Sequence, residues 1–451
     1  MPCKVHELLA RERTTIFLRM DAITSVTFFE GDVDVAALRG AVDAVLEANP
    51  WLAGRLVTHT AGGKPRICLW APVQAAGVRA GEGGDGTASE HSIWTETVMD
   101  RSAPLQLDTP YVELMVACRP FLVSKGSACV DRDLPLFRVS LLHLQGKSVG
   151  VDASDASTHR FAVIVSLSHV IADGYTFYQI YGSLSCGYDG GSNSSAAKPA
   201  VVLNPTRIPD GTARTQAAGG VWGRGLHSLP CIAAMMWRMF VSGARPRITL
   251  YEIDPAWVEK QKQAHVAAAA ELVGSSNNMP PWVSTNDVIS SWWYRNAGGA
   301  GLYDAVSIIL DGRGRVEGCS PDLAGNYEVC GDLNGISAAS PTSVRRLLAG
   351  GAPYLAPDTP MPTGRRLIRL NYTISSSWVA PYRQLYLGGC RELLHAPVRQ
   401  TVGFTANSGH FLDVLLVFRS TPSSIGVLCT EGGPGPSPRA DSTPLLRQLF
   451  A

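Results

Sequence analysis

The feature that most constrains this chain is an apolar run that ends in a histidine and leads into a helix. Residues 161–167 read Phe-Ala-Val-Ile-Val-Ser-Leu, a composition typical of a β-strand. Alternate residues of a strand share a face, so His169 is predicted to point inward with the apolar side chains of that strand. Asp173 and Gly174 then close a turn, and the apolar positions within residues 177–184 have helical spacing.

This turn has two interpretations that the residues alone leave open. A histidine at a strand end, with an aspartate four residues later, suits proton transfer, because imidazole gains and loses a proton near neutral pH. The alternative is a buried structural histidine followed by an ordinary Asp-Gly turn. Two nearby histidines are weaker candidates for a base. His159 lies in a polar connection, and the strand parity of His143 predicts a core position.

Composition sets the broad class of the protein. The chain has 451 residues, 45% of them hydrophobic, and this length favours two or three domain-sized units. A formal net charge of +1, with no basic patch, argues against a nucleic-acid partner. The ten cysteines form no CxxC pair and no zinc-like cluster, so we expect free thiols, a reducing compartment and no metal. Residues 1–19 lack the apolar core of a signal peptide, which favours a cytoplasmic location.

One apolar stretch, residues 229–244, bears on membrane contact. It contains Arg238 and is too short to span a bilayer, so no transmembrane segment is predicted. Its composition fits a core helix, and it also fits a helix lying on a membrane surface. Peripheral membrane contact therefore stays open.

Strand and helix patterns alternate in both halves of the chain. Strands 136–144 and 161–167 are expected to pair, and strands 414–418 and 425–429 are expected to form a hairpin. A Gly/Ser/Pro-rich stretch near residues 187–218 is typical of a linker. We therefore predict two similar layered α/β units rather than one doubly wound sheet. Their expected bounds are residues 1–190 and 226–451, with a linker at residues 191–225.

Several stretches resemble one enzyme family, in the right order along the chain. The His169-x-x-x-Asp173-Gly174 turn resembles the HxxxDG motif of the BAHD acyltransferases, whose superfamily includes chloramphenicol acetyltransferase and the condensation domains of peptide synthetases. Four further matches are similar to family motifs: residues 50–56 (Pro-Trp-Leu-Ala-Gly-Arg-Leu), residues 284–292, residues 311–315 with Gly325-Asn326 beyond them, and residues 375–378 (Ser-Ser-Ser-Trp). One motif departs, because residues 385–389 read Leu-Tyr-Leu-Gly-Gly where the family has DFGWG. Residue 168 is serine, whereas condensation domains usually have a second histidine there, and this favours the BAHD-like side.

The resemblance implies a fold and an activity. The fold is a pair of chloramphenicol-acetyltransferase-like domains related as a pseudo-dimer, with a channel between them. The activity is transfer of an acyl group from acyl-CoA, as co-substrate, to a small alcohol or amine. The enzyme would be a monomer with no bound cofactor and no covalent acyl-enzyme. Two alternatives remain: a carrier-protein-dependent condensation-type enzyme, and a catalytically silent relative that binds a ligand or partner.

The resemblance also assigns roles to individual residues. The implied catalytic residues are His169 as general base, Asp173 within the same motif, and a serine before Trp378 as donor to the oxyanion, with Ser376 as the first choice and Ser377 as the alternative. The implied supporting residues are Gly174, Arg313 and Trp378. In relatives the motif aspartate turns away from the histidine and pairs with an arginine, which here corresponds to Arg313, with Arg315 as the alternative.

Overall fold

The computed structural model describes residues 2–61, 63–73, 91–100, 105–144, 159–187, 199–217, 247–271, 280–296, 305–334, 340–349, 372–400, 413–431 and 445–450. The apolar stretch 229–244 lies outside these residues, and the expected linker is described only at residues 199–217. The helices are α1 Thr15–Arg19, α2 Val35–Ala48, α3 Tyr111–Cys118, α4 Gly126–Cys129, α5 Gly174–Ser183, α6 Gly211–Ala217, α7 Pro255–Glu271, α8 Thr285–Asn296 and α9 Pro341–Ala349, with 3-10 turns at Pro50–Ala53 and Arg119–Phe121.

Three sheets organise the described part of the chain. Their strands are β1 Cys3–Glu7, β2 Ile23–Glu30, β3 Arg55–Ala61, β4 Lys64–Pro72, β5 Trp94–Met99, β6 Phe137–Leu144, β7 Arg160–Leu167, β8 Arg247–Ile253, β9 Ala305–Asp311, β10 Glu328–Asn334, β11 Tyr372–Ser377, β12 Arg391–Pro397, β13 Asp413–Arg419, β14 Ile425–Glu431 and β15 Leu445–Leu449. The first sheet has five strands in the order β12-β2-β7-β6-β5, and the second has seven in the order β10-β9-β11-β13-β14-β8-β15. A small third sheet has the order β1-β4-β3.

Apolar clusters cover the faces of the two large sheets. One face of the five-stranded sheet packs against α2 and α5 in a buried cluster that includes Val165, Val45 and Phe177. Its other face shares a cluster with the seven-stranded sheet, which joins Ile164 to Leu428. The far face of the seven-stranded sheet packs against α7, α8 and α9. Each fully buried aliphatic or aromatic side chain contributes ~1.5–3 kcal/mol relative to exposure, so these clusters hold the layers together.

The strand that carries the histidine lies in the middle of its sheet. β7 pairs antiparallel with β6 on one side and with β2 on the other, which confirms the expected pairing of residues 136–144 and 161–167. The sequence predicted one apolar face for β7, but Ala162 and Ile164 are buried on the opposite face as well. A central strand covered on both sides reads as a continuous apolar run rather than as an alternation.

The first sheet is completed by a strand from late in the chain. β12 pairs antiparallel with β2 at the sheet edge. From β12 the fully buried His395 places Nδ1 at 2.8 Å from the Thr27 hydroxyl and Nε2 at 3.0 Å from the Tyr178 hydroxyl. Burial lowers the pKa of His395 to about 3, so this ring is neutral and structural.

Two further findings qualify the sequence-based expectations. The prediction that His143 lies in the core is wrong: its side chain is about one-third exposed, and Nε2 lies 3.0 Å from Glu96 Oε1. Parity assigns a face but not its depth, and this position is near the end of β6 where cover is thin. Within the described residues, no helix is both long and apolar enough to cross a membrane.

Candidate active site

His169 lies two residues beyond the end of β7, before the first turn of α5. Its side chain is half-buried, so the ring is neither sealed in the core nor fully in solvent. The ring of Phe17, from α1, meets it edge-on with centroids 5.7 Å apart. The histidine therefore faces inward, as its parity predicted, and keeps one accessible side. The channel that the resemblance implies stays a prediction.

A side chain from the second half of the chain holds the histidine. The Oδ1 atom of Asn326 lies 3.0 Å from His169 Nδ1, and Asn326 Nδ2 donates to the His169 carbonyl oxygen at 2.8 Å. Asn326 is fully buried, and its Nδ2 and backbone N–H both donate to Glu12 Oε1, at 3.0 and 2.9 Å. The His169 ring thus contacts the Asn326 amide, which is held in place by Glu12 of the N-terminal segment.

Glu12 belongs to a buried ion pair. Arg207 Nε donates to Glu12 Oε2 at 2.9 Å, and the two side chains are 4% and 0% exposed. Arg207 also donates to the carbonyl oxygens of Ile171 and Ala324, at 3.0 and 2.8 Å. A buried charge is tolerated when it is paired and its hydrogen bonds are satisfied, and this pair meets both conditions. The Glu12–Arg207 pair thus connects the N-terminal segment and residues 199–217 to the two loops that contain Ile171 and Ala324.

Asp173 pairs with Arg313, as the resemblance implied. Arg313 Nη1 donates to Asp173 Oδ2 at 2.7 Å and Nη2 donates to Oδ1 at 3.2 Å, a bidentate pair. Asp173 also caps α5, because the Thr176 N–H donates to Oδ1 at 2.9 Å, and the Tyr327 N–H donates to Oδ2 at 3.1 Å. Burial alone would raise the pKa of Asp173, but the charge of Arg313 and these hydrogen bonds hold it below its usual value. The carboxylate is a fully occupied structural acceptor.

Arg313 organises the loop between β9 and β10. Its Nε donates to the Leu323 carbonyl oxygen at 2.9 Å, and Nη2 donates to that of Gly325, also at 2.9 Å. Its guanidinium lies 4.5 Å from the centroid of the Tyr175 ring, a cation–π contact. The alternative partner for Asp173, Arg315, is turned away and donates to the Leu348 carbonyl oxygen. Arg313 therefore fixes both α5 and the loop that carries Asn326.

Gly174 allows α5 to approach the end of β11. A Cβ atom at this position would lie 3.0 Å from Trp378 Nε1 and 3.2 Å from Trp378 Cδ1, tighter than ordinary van der Waals contact. The Trp378 ring is also 5.8 Å from the Tyr178 ring of α5. Two of the three supporting residues that the resemblance implied, Gly174 and Trp378, thus lie against each other at the start of α5.

Gly174→Ala is expected to lower the free energy of unfolding by ~1–3 kcal/mol, the usual result of forcing a methyl group into a filled site. The matched control is Gly40→Ala in α2, where an added Cβ would meet nothing within 4 Å. That change should raise the free energy of unfolding by ~0.4–1 kcal/mol. Denaturant titration of both variants measures the difference. Equal stability of Gly174→Ala and wild type would contradict the packing argument.

Ser376 lies on the side of β11 that faces α5. Thr373 and Ser375 are buried on one face of the strand, and the Trp293 indole donates to the Thr373 hydroxyl at 3.0 Å. Ser376 is half-buried on the opposite face. Trp378 follows with the same parity as Ser376 and packs against α5. Ser376 thus lies on the face of β11 opposite to Ser375, whose hydroxyl contacts Tyr294 of α8.

A carboxyl group also contributes to the electrostatics of the site. Glu328, at the start of β10, has the same strand parity as Asn326 and is half-buried. Burial raises the pKa of the Glu328 carboxyl, and the charges of His169, when its ring is protonated, and of Arg11 oppose that rise. Within the described residues, no three His, Cys, Asp or Glu side chains form a metal-binding group.

The degenerate DFGWG position has a structural role here. Leu385 and Leu387 are buried in the core beneath α5. Leu387 forms a parallel bridge to Cys186, and a Cβ on Gly388 would lie 2.3 Å from the Gly187 carbonyl oxygen. Two leucines and a close glycine contact therefore fasten this segment to the end of α5 without the aspartate of the family motif.

The sequence did not reveal the roles of Glu12, Arg207 and Asn326. Glu12 stands in an Arg-Glu-Arg run that is typical of a solvated surface. Arg207 falls in the stretch read as a linker. Only the Gly325-Asn326 pair carried a signal, as part of the family resemblance.

Gly325 has a φ of +125°, and a Cβ there would lie 2.7 Å from the Arg207 guanidinium, so only glycine suits this position.

The chain shares its fold with solved structures at low sequence identity. The first condensation domain of the calcium-dependent antibiotic synthetase, in complex with a substrate analogue, has a TM-score of 0.53 at 16% identity, covering 96% of this chain and 91% of that one. TRI101 of F. sporotrichioides, complexed with coenzyme A and T-2, has a TM-score of 0.52 at 14% identity, covering 95% of each chain. TRI101 of F. graminearum, complexed with coenzyme A and deoxynivalenol, has a TM-score of 0.50 at 13% identity with the same coverage. No protein-family model matches the chain, and no curated protein does.

These likenesses confirm the fold that the sequence predicted. The mixed α/β class and the two-lobed fold of these solved structures are present in this chain. At 13–16% identity the agreement extends to the fold and no further.

Proposed function

We propose that this chain transfers an acyl group from acyl-CoA to a hydroxyl or amine of a small-molecule acceptor, with His169 as general base. The observation that carries the proposal is the His169 ring. It is half-buried at a strand end, and Nδ1 contacts Asn326, which leaves Nε2 for a substrate. Support comes from TRI101, which has the same fold and was solved with coenzyme A and T-2.

In the proposed reaction, His169 Nε2 accepts the proton of the acceptor O–H or N–H as that atom attacks the thioester carbonyl. A C–O or C–N bond forms, the carbonyl oxygen becomes an oxyanion, and the C–S bond then breaks. The imidazolium returns its proton to the departing sulfur, so CoA leaves as a thiol. Because donor and acceptor react directly, no acyl-enzyme forms, and holding both together removes the entropy of encounter. The proposed enzyme is a cytoplasmic monomer that needs no bound cofactor.

Ser376 is proposed to donate a hydrogen bond to the oxyanion. Its hydroxyl lies on the α5-facing side of β11 and accepts or donates no hydrogen bond among the described residues. A fixed donor aimed at developing charge stabilises the transition state more than the ground state. Asp173 is proposed to act through structure, because its four hydrogen bonds to protein groups leave no lone pair directed at His169.

Ser376→Ala is expected to lower kcat by ~10²–10³-fold, the usual effect of losing one oxyanion donor, with a smaller change in KM. The matched control is Ser375→Ala, one residue earlier, whose hydroxyl contacts Tyr294 on the opposite face. That variant should lose stability and keep kcat. Steady-state kinetics of both variants measure the contrast. A kcat for Ser376→Ala within a few-fold of wild type would remove the hydroxyl from the mechanism.

The test of the proposed function is incubation of the full chain with a panel of acyl-CoAs and acceptors, read as release of free CoA thiol. We expect acceptor-dependent thiol release that disappears in His169→Ala. Binding of acyl-CoA with no release under any acceptor would instead favour the catalytically silent relative.

A condensation-type enzyme is the second candidate, because a condensation domain shares the fold at 96% coverage of this chain. The same acyl group presented on CoA and on a phosphopantetheinylated carrier protein separates the two. Turnover with the carrier alone would favour the second candidate. The serine at position 168, where condensation domains usually have histidine, favours the first.

A further inference from the structure

We infer that Glu12 and Asn326 are positioning residues that fix the tautomer of His169, an inference that rests on the proposed role of His169 as base. The neutral imidazole has one N–H and one lone pair, and only a ring with its lone pair on the substrate side can accept a proton. Which nitrogen carries the hydrogen is set by the hydrogen bond that the other nitrogen makes. In this chain that hydrogen bond leads from the ring to Asn326 and then to Glu12.

The Asn326 amide has only one orientation that satisfies its neighbours. Its Nδ2 group has two hydrogens, and both are used: one toward Glu12 Oε1 at 3.0 Å and one toward the His169 carbonyl oxygen at 2.8 Å. Turning the amide over would place Oδ1 against a carboxylate oxygen and a carbonyl oxygen, neither of which can donate. A fully buried amide cannot recover the two lost hydrogen bonds from water. The neighbours therefore determine which amide atom faces the ring.

The fixed amide determines the ring. Asn326 Oδ1 is an acceptor and lies 3.0 Å from His169 Nδ1, so Nδ1 must carry the hydrogen. The lone pair of the neutral ring is then on Nε2. After Nε2 has accepted a proton, the Nδ1–H bond to Asn326 remains, so the amide stays in place throughout the cycle.

Glu12 is the origin of this orientation because it can only accept. Both of its oxygens receive two N–H donors: Oε1 from the Asn326 backbone and side chain, and Oε2 from the Leu9 N–H at 2.8 Å and Arg207 Nε at 2.9 Å. Among the described residues, the hydrogen bonds to this carboxyl group all come from N–H donors. Asn326 therefore separates the Glu12 carboxylate from the His169 ring, and its neutral amide makes the contact with that ring.

Glu12→Gln separates this role from a merely structural one. The new amide has one oxygen, and the positive charge of Arg207 with the Leu9 N–H will attract that oxygen. The glutamine NH₂ then faces Asn326 Nδ2, two donors against each other. Turning the Asn326 amide over removes the contact between the two NH₂ groups, although the Asn326 backbone N–H still faces the glutamine and Oδ1 then faces the His169 carbonyl oxygen. It also presents Nδ2 to His169 Nδ1, which moves the ring hydrogen to Nε2. We expect kcat to fall by ~10²–10⁴-fold, as when a serine-protease triad holds the wrong tautomer, with a much smaller change in KM.

The direct readout is the nitrogen NMR spectrum of the full chain labelled with ¹⁵N-histidine, recorded above the pH at which imidazole titrates. His169→Ala identifies the His169 signals. Wild type should show a protonated Nδ1 and an unprotonated Nε2, and Glu12→Gln should show the reverse. This measurement needs no substrate, so it tests the inference even if no acyl transfer is found. A wild-type ring protonated at Nε2 would overturn the inference and leave the proposed function to be judged by its own assay.

The matched control is Asp287→Asn. Asp287 is also a fully buried carboxylate paired with an arginine, since Arg345 Nε donates to its Oδ2 at 2.6 Å, but it lies in α8 and contacts no group at His169. Asp287→Asn should lower stability and leave the His169 signals and kcat unchanged. If Glu12→Gln lowers kcat no more than this control does, Glu12 is structural only. If Glu12→Gln does not fold, the wild-type spectrum still decides the tautomer.

Discussion

His169→Ala is expected to lower turnover by ~10²–10⁴-fold, the typical contribution of a general base. The affinity for acyl-CoA should change little, because the ring acts on the proton that moves in the transition state. Among the residues that the structure describes, the half-buried ring makes one aromatic contact and one side-chain hydrogen bond, so its removal should leave the fold intact. Thiol release under steady-state conditions, beside calorimetric titration with CoA, measures the two effects separately.

The control for this variant is His143→Ala. His143 is a second half-buried histidine with a hydrogen-bonded partner, Glu96, and it lies on the neighbouring strand β6. Its replacement should leave turnover unchanged. If a folded His169→Ala protein kept turnover within a few-fold of wild type, His169 would not be the base, and the chain would need to be reconsidered as a binding protein or as an enzyme of another kind.

Asp173→Asn is expected to lower the free energy of unfolding by up to ~3–5 kcal/mol, because it removes the buried partner of Arg313 and leaves the guanidinium paired with the partly exposed carboxylate of Asp311, whose Oδ1 lies 2.9 Å from Nη1. The side chains of Asp173 and Arg313 are 3% and 2% exposed, so water cannot replace the lost partner. The matched control is Asp133→Asn, whose partner is Arg55 and whose side chain is 79% exposed. Exposed ion pairs contribute ~0–1 kcal/mol, so the control should melt close to wild type.

The same pair predicts a pH dependence. The pKa of Asp173 in the folded chain lies below its usual value of 3.8, since Arg313 and the hydrogen bonds outweigh the effect of burial. Between the two pKa values the unfolded chain binds the extra proton, so stability falls as the pH falls through that window and is fully present above it. Denaturant titrations from neutral pH downward should show this loss in wild type and not in Asp173→Asn. A variant that melts like wild type yet loses all turnover would instead assign Asp173 to the chemistry.

The residues that the sequence placed correctly are those with a local signature. The strand before His169, its pairing with β6 and the β13–β14 hairpin follow from apolar runs bounded by turn residues. The contact between Asp173 and Arg313, 140 residues apart, carries no local signature and came only through the family resemblance. The burial of a side chain was harder to predict than the face of the strand on which it lies, as the partly exposed His143 shows.

What the sequence could not predict are contacts made by residues of ordinary surface type. Glu12 lies between two arginines in sequence, yet it is 0% exposed and 314 residues from Asn326, its hydrogen-bond partner. No periodicity distinguishes such a residue from a solvated charge, because its burial depends on how distant segments meet. The sequence therefore predicted the motif that contains His169, but it did not predict the residues that orient the His169 ring.

Because β12 completes the five-stranded sheet, that sheet cannot be fully formed until residues 391–397 have been synthesised. Thr27 in β2 and His395 in β12 are 368 positions apart, and the edge of β2 has no partner until β12 has been made. At ~5–20 residues per second on the ribosome, that interval is roughly 20–70 s. An open strand edge can pair with other chains during such a wait. The sheet that contains β7 is thus begun with β2 and completed only when β12 has been made.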